Sequence, residues 1–201
     1  RVIVSQLIRS AGVFFTADSF NGKRFYGAKV IPGRGAWLEF ETATNGSINV
    51  KIDRRRKIPV TTFLRALGIA KNSEIKELFA DVDNGPINYI DSTIDKDTTT
   101  SQAAALLEVY RRLRPGDLAT VENARSMVDD YSRVGRFKIN QRLGFDTPND
   151  SAHRTLQMED VIAIIREIIR LNNTQEPADD IDSLANRRVK MVGELIQRQF
   201  R

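Results

Sequence analysis

Three carboxylates crowd four residues at Asp179-Asp180-Ile181-Asp182, and a guanidinium, Arg187, follows Asp182 by five positions. Acids this close repel one another unless cations or hydrogen-bond donors face them. A short loop between Asp182 and Arg187 could bring a carboxylate and a guanidinium to one site, an arrangement suited to reading a polar ligand rather than filling a core. A second charged group, Arg54-Arg55-Arg56-Lys57, closes a strand pattern. Four adjacent cations serve either as a solvated edge or as phosphate contacts. Side chains alternate along a strand, so at most half of them address one partner. Trp37 is the single tryptophan, and on an alternating strand it reads as core.

Other chemistries fail on spacing. Asp81-Val82-Asp83-Asn84-Gly85 begins like a calcium loop, but its glycine falls at position five and position twelve is Ser92. Gly33-Arg34-Gly35 lacks the third glycine and the following helix of a dinucleotide site. His153 is the only histidine and there is no cysteine, which argues against a His-based metal site or a nucleophilic triad. Paired acids for two-metal phosphoryl transfer could in principle come from Asp129-Asp130 or from Asp179, Asp180 and Asp182. Neighbouring acids on one segment read first as caps or solvated turns.

Composition sets the frame. The 201 residues are 41% hydrophobic and 28% charged, enough to bury a core. No apolar run approaches a membrane span, and nothing resembles a signal peptide. The chain begins in an apolar run and stops inside a helical pattern, as an excised piece of a longer polypeptide would. The net charge of +5 is unevenly spread. Residues 1–60 carry eleven Lys/Arg against four Asp/Glu, and residues 61–110 carry four against eight. One face turned to phosphates and another turned away would produce this split.

The elements that must position these groups are a β-rich front and a helical remainder, an α+β fold. Residues 1–57 read as strands: Val2-Ile3-Val4, Val13-Phe14-Phe15, then alternation through Trp37–Glu41 and Ile48–Asp53, with hairpin turns at Asn21-Gly22 and Asn45-Gly46. From Pro59 the period becomes helical. Phe63, Leu64 and Leu67 mark one helix ended by Gly68, and Ile75, Leu78 and Phe79 mark another. Residues 81–99 read as a loop. Leu106 to Leu113 predict a helix stopped by Pro115-Gly116, and Thr120 caps one through Tyr131. Residues 146–154 read as loop and 158–171 as the clearest amphipathic helix. Val189, Val192, Ile196 and Phe200 stripe a last basic helix.

Several long blocks resemble the bacterial RNA polymerase β subunit. The closing stretch Asp179-Asp180-Ile181-Asp182-Ser183-Leu184-Ala185-Asn186-Arg187-Arg188 is similar to that family's segment before its QFR end, which here is Gln199-Phe200-Arg201. Val2-Ile3-Val4-Ser5-Gln6-Leu7, Ile31-Pro32-Gly33-Arg34-Gly35-Ala36-Trp37-Leu38 and Ile52-Asp53-Arg54-Arg55-Arg56-Lys57 carry the resemblance through the front half. Arg114-Pro115-Gly116-Asp117 and Val134-Gly135-Arg136-Phe137 continue it in order. Segments 80–105 and 143–157 match poorly.

The resemblance implies the lobe, or second domain, of that subunit, spanning residues 1–201 and forming a wall of the cleft for downstream DNA. It implies a pocket for a nontemplate-strand guanine. Asp182 would accept the base's pairing edge and Ile181 would line the pocket. Arg9 and Arg187 would be its basic groups, with Trp37 stacking the preceding base and Asp53 beside it. Arg54, Arg55, Arg56 and Lys57 would be phosphate contacts. It further implies no catalysis by this piece alone, since the polymerase's Mg2+ is bound by another subunit. The partners would be DNA, the rest of β, and the β′, α and σ subunits; the location would be the bacterial cytoplasm at the nucleoid, with no membrane. The competing readings are a free-standing nucleic-acid-binding module and a small phosphoryl-transfer enzyme using the acidic turn.

Overall fold

The computed structural model describes residues 4–33, 35–113 and 132–197. Arg34, Phe200, the Asp129-Asp130 pair and the expected helix from Thr120 to Tyr131 lie outside those residues.

A five-stranded antiparallel sheet is built in chain order from β2 (Gly12–Phe20), β3 (Lys23–Ile31), β4 (Leu38–Thr42), β5 (Ile48–Ile52) and β6 (Ile58–Pro59). Asn21 and Gly22, at φ 49° and 76°, make the two-residue turn joining β2 to β3, because a tight hairpin needs positive φ at both positions. Burial alternates along β4 and β5. Leu38, Phe40, Ile48, Val50 and Ile52 face the core, while Glu39, Glu41 and Lys51 sit on the opposite, half-exposed face. This is the period-two pattern of a sheet packed on one side.

The helices are α1 (Val60–Leu67), α2 (Asn72–Phe79), α3 (Tyr89–Ile94), α4 (Gln102–Leu113), α5 (Ser132–Leu143), α6 (Met158–Thr174) and α7 (Val192–Gln197). α6 contributes Val161, Ile164, Ile165, Ile168, Ile169 and Leu171 to the same core as the sheet. Asn172 locks the two together, its Oδ1 accepting from Tyr26 N–H at 3.1 Å and its Nδ2 donating to Thr42 Oγ1 at 3.0 Å. None of the described helices is long and apolar enough to cross a membrane.

The α+β class and the β-rich front are as expected, but three local expectations are corrected. Val2 and Ile3 of the expected first strand lie outside the described residues, and the first described strand does not include Val4. That strand is β1 (Gln6–Arg9), and Val4 is exposed outside it. The cause is its partner, β7 (Arg187–Lys190), which pairs antiparallel with Gln6 opposite Lys190 and Arg9 opposite Arg187. Where a last helix striped by Val189, Val192 and Ile196 is expected, a 3-10 turn (Leu184–Asn186) leads into strand β7, and only the short α7 is helical. Val189 lies on the strand, exposed, rather than on a helical stripe. Finally, residues 81–99 are not all loop. Asp83 reaches forward to accept Tyr89 N–H and Ile90 N–H, both at 2.9 Å, and this remote cap starts α3.

Helix α5 has no apolar stripe to announce it, and a buried ion pair holds it. Arg136 Nη1 and Nη2 donate to the two oxygens of Asp160 at 2.7 and 2.8 Å, with both side chains withdrawn from solvent. Arg136 also donates to the His153 and Thr155 carbonyls, which tethers the 146–157 loop. Asp160 is at the same time the N3 residue of α6, accepting Gln157 N–H in a capping box.

Candidate nucleic-acid interface

The acidic turn resolves into three carboxylates with three different jobs. Asp179 is scaffold. Its N–H donates to Phe15 O at 2.9 Å, and its carboxylate accepts Phe15 N–H at 2.9 Å and Arg142 Nε at 3.1 Å. Arg142 also lies over the Phe15 ring, 4.5 Å from its centre. Asp180 shapes the loop: Oδ1 accepts Asp182 N–H at 3.0 Å, and its carbonyl accepts Asn186 Nδ2 at 2.8 Å. The repulsion that the sequence implies is thus met by donors within the fold on these two acids.

Asp182 is the one that faces outward. Arg9 Nη2 donates to its Oδ1 at 3.2 Å, with Asp182 61% and Arg9 34% exposed at the side chain. A pair this exposed contributes only about 0–1 kcal/mol, so a ligand can recruit the carboxylate at little cost. Arg187 is not its partner, contrary to the simplest reading of their spacing. Arg187 instead lies across the β1–β7 ribbon from Arg9, its register partner. Its Nε is buried and has no hydrogen-bond partner among the described residues. Ile181 is half-buried in the same loop.

The second cluster lies beside it. A single row of paired residues, Val13–Val30–Leu38–Ile52, crosses from β2 to β5. Just past that row, at one end of the sheet, come Arg9 to Ala11 leading into β2, Trp37 entering β4, and Asp53-Arg54 leaving β5. At ~4.8 Å per strand, the mouths of β2 and β4 are roughly 10 Å apart. Trp37 is half-buried and just precedes β4; its carbonyl accepts Asp53 N–H at 2.8 Å. The Arg54 guanidinium sits 5.8 Å from the centre of the Trp37 ring.

Residues 54–57 lie beyond the strand, in an exposed turn, so the expected alternation between faces does not apply to them. Lys57 is 3.8 Å from Glu41, which also pairs with Lys51. Arg55 and Arg56 are exposed and make no ion pair among the described residues. His153 pairs with Asp150 at 2.7 Å, and no group of three or more metal-ligating side chains occurs among the described residues.

Sequence reasoning missed Lys138 and Arg142. One helical turn apart on α5, they line a cleft of about 530 Å³ with Phe14, Asp179, Asp180 and Asn186. Lys138 Nζ donates to Ala185 O at 3.2 Å, so α5 braces the Asp182 loop from beneath. Their i, i+4 spacing on one helix face was the available signal.

The α+β domain thus places Arg9, Trp37 and Asp53 near one end of its sheet, with Arg9 paired to Asp182. The chain belongs to the family described as RNA polymerase Rpb2, domain 2, which matches residues 9–190. Over its full length it is 47% identical to the DNA-directed RNA polymerase subunit beta of two strains of Dehalococcoides mccartyi, and 44% identical to that of Chloroflexus aggregans. It spans 17% and 20% of those relatives' lengths, about one-fifth of each.

Proposed function

We propose that this chain works as the lobe of a bacterial RNA polymerase β subunit, walling the downstream DNA cleft and holding the nontemplate strand. In this reading Asp182 accepts N1–H and N2–H of an extruded guanine, two adjacent donors that suit one ionised carboxylate. Arg9 and Arg187 hold the backbone or the base face, and Trp37 stacks the neighbouring base with Asp53 beside it. Arg55, Arg56 and Lys57 supply phosphate contacts. Nucleotide transfer belongs to the assembled enzyme, with Mg2+ held on another subunit and β′, α and σ as partners in the cytoplasm.

The observation that carries the reading is the exposed Arg9–Asp182 pair, at the same sheet end as Trp37. The test is complex lifetime in assembled polymerase on templates differing only at the pocket base. Asp182→Ala costs about 1–3 kcal/mol when guanine is present and little when another base replaces it. Equal losses on every template would reduce Asp182 to a turn-ordering role.

A further inference from the structure

Arg54 stands out from the three cations that follow it. Asp53 and Arg54 both occupy the left-handed region, at φ 49° and 58°, and Arg55 N–H closes the turn on Ile52 O at 3.0 Å. Two consecutive non-glycine residues there are costly, and such strain persists only where the surroundings impose it. What the strain achieves is visible in the contacts. Asp53 N–H grips the Trp37 carbonyl, and the turn then carries the Arg54 guanidinium back over the indole. An extended continuation of β5 would project the side chain away from the sheet end instead.

We propose that Arg54 is a positioning residue for Trp37. Its guanidinium covers one face of the indole, fixes the ring's orientation, and leaves the opposite face as the single platform for a nucleic-acid base. This rests on the stacking role proposed above for Trp37 and deepens it, assigning Arg54 to the ring rather than to a phosphate. The chemistry favours arginine. A planar, delocalised cation stacks on a π face, and its positive charge complements the ring's negative quadrupole. A base arriving on the far side completes a three-layer stack without a loose ring having to be ordered first. That lowers the entropic cost of binding for any base, with no demand on sequence.

The experiment is a double-mutant cycle in RNA polymerase assembled with the full β subunit, reading lifetimes of complexes on one promoter. The variants are Arg54→Asn, Arg54→Lys, Trp37→Ala and the pair Trp37→Ala/Arg54→Asn. Asparagine removes the guanidinium yet tolerates the left-handed turn, and lysine keeps the charge without the planar group. Arg54→Asn shortens the lifetime roughly two- to five-fold when Trp37 is present and has no further effect in Trp37→Ala. Arg54→Lys behaves like Arg54→Asn. The proposal is overturned if Arg54→Asn costs the same factor in both backgrounds, or if Arg54→Lys matches the wild type, since either outcome makes Arg54 a phosphate contact. If Trp37→Ala itself leaves lifetimes unchanged, the stacking reading fails first and takes this one with it.

Discussion

Asp97 shows how one residue organises a surface that the sequence presented as connector. Its carboxylate accepts Thr61 Oγ1 at 2.7 Å, Thr62 Oγ1 at 2.8 Å, Arg65 Nε at 3.0 Å, and the Thr99 N–H and hydroxyl at 2.8 and 2.6 Å. Burial opposes its charge, but the hydrogen bonds from Thr99, Thr61 and Thr62 prevail and hold the carboxyl below the usual carboxylate range. A depressed folded-state value means that the stabilisation is complete above the unfolded value of about 4 and disappears as pH falls through the folded one. Asp97→Asn is therefore less stable than the wild type near neutrality, and the gap in melting temperature narrows on acidification below about pH 4. A gap that stays constant between neutral and strongly acidic solution would show that the network does not depend on the charge. At the candidate interface the same scale of reasoning separates Asp179, saturated with donors, from Asp182, held by one exposed arginine.

At the scale of elements, α5 and α6 are joined by charge more than by apolar contact. The Arg136–Asp160 pair is fully withdrawn from solvent, and Asp160 also caps α6. Removing one partner strands the other without solvent, so Asp160→Ala should destabilise by about 3–5 kcal/mol, measured as a shift in the urea unfolding midpoint. A loss near ~1 kcal/mol would mean that only the cap matters. Because α5 also carries Lys138 and Arg142, loosening it should reach the Asp182 loop through Ala185 and Asp179. The two-stranded β1–β7 ribbon has the opposite character. It buries little, leaves Leu7 and Val189 exposed, and its register sets Arg9 opposite Arg187.

Over the whole molecule, net positive charge concentrates in the first sixty residues, and in the exposed segment after β5 Arg55 and Arg56 make neither an ion pair nor a ring contact among the described residues. Binding to phosphate releases counterions, so such groups reveal themselves through salt dependence rather than through sequence preference. In assembled polymerase, replacing both Arg55 and Arg56 by Ala should weaken DNA binding evenly across sequences. It should also flatten the slope of log affinity against log salt by about 0.7–0.9 for each phosphate that is no longer neutralised. An unchanged slope would make the two residues a solvated edge.

Alternation in β4 and β5, the two Asn-Gly turns, the Gly68 stop and the stripe of α6 were legible in the amino-acid sequence, because each is a local rule of backbone geometry or periodic burial. Pairing across long separations was not legible. Arg187–Lys190 reads locally as helix and becomes strand because Gln6–Arg9 stands opposite it, at the other end of the chain. α3 forms because Asp83 caps it from outside, and α5 because Arg136 finds Asp160. Asp182 pairs with Arg9 rather than the nearer Arg187 for the same reason. Hydrogen-bond partners and buried charges are chosen by which segments the tertiary fold brings within about 3 Å, and spacing along the chain carries no record of that choice.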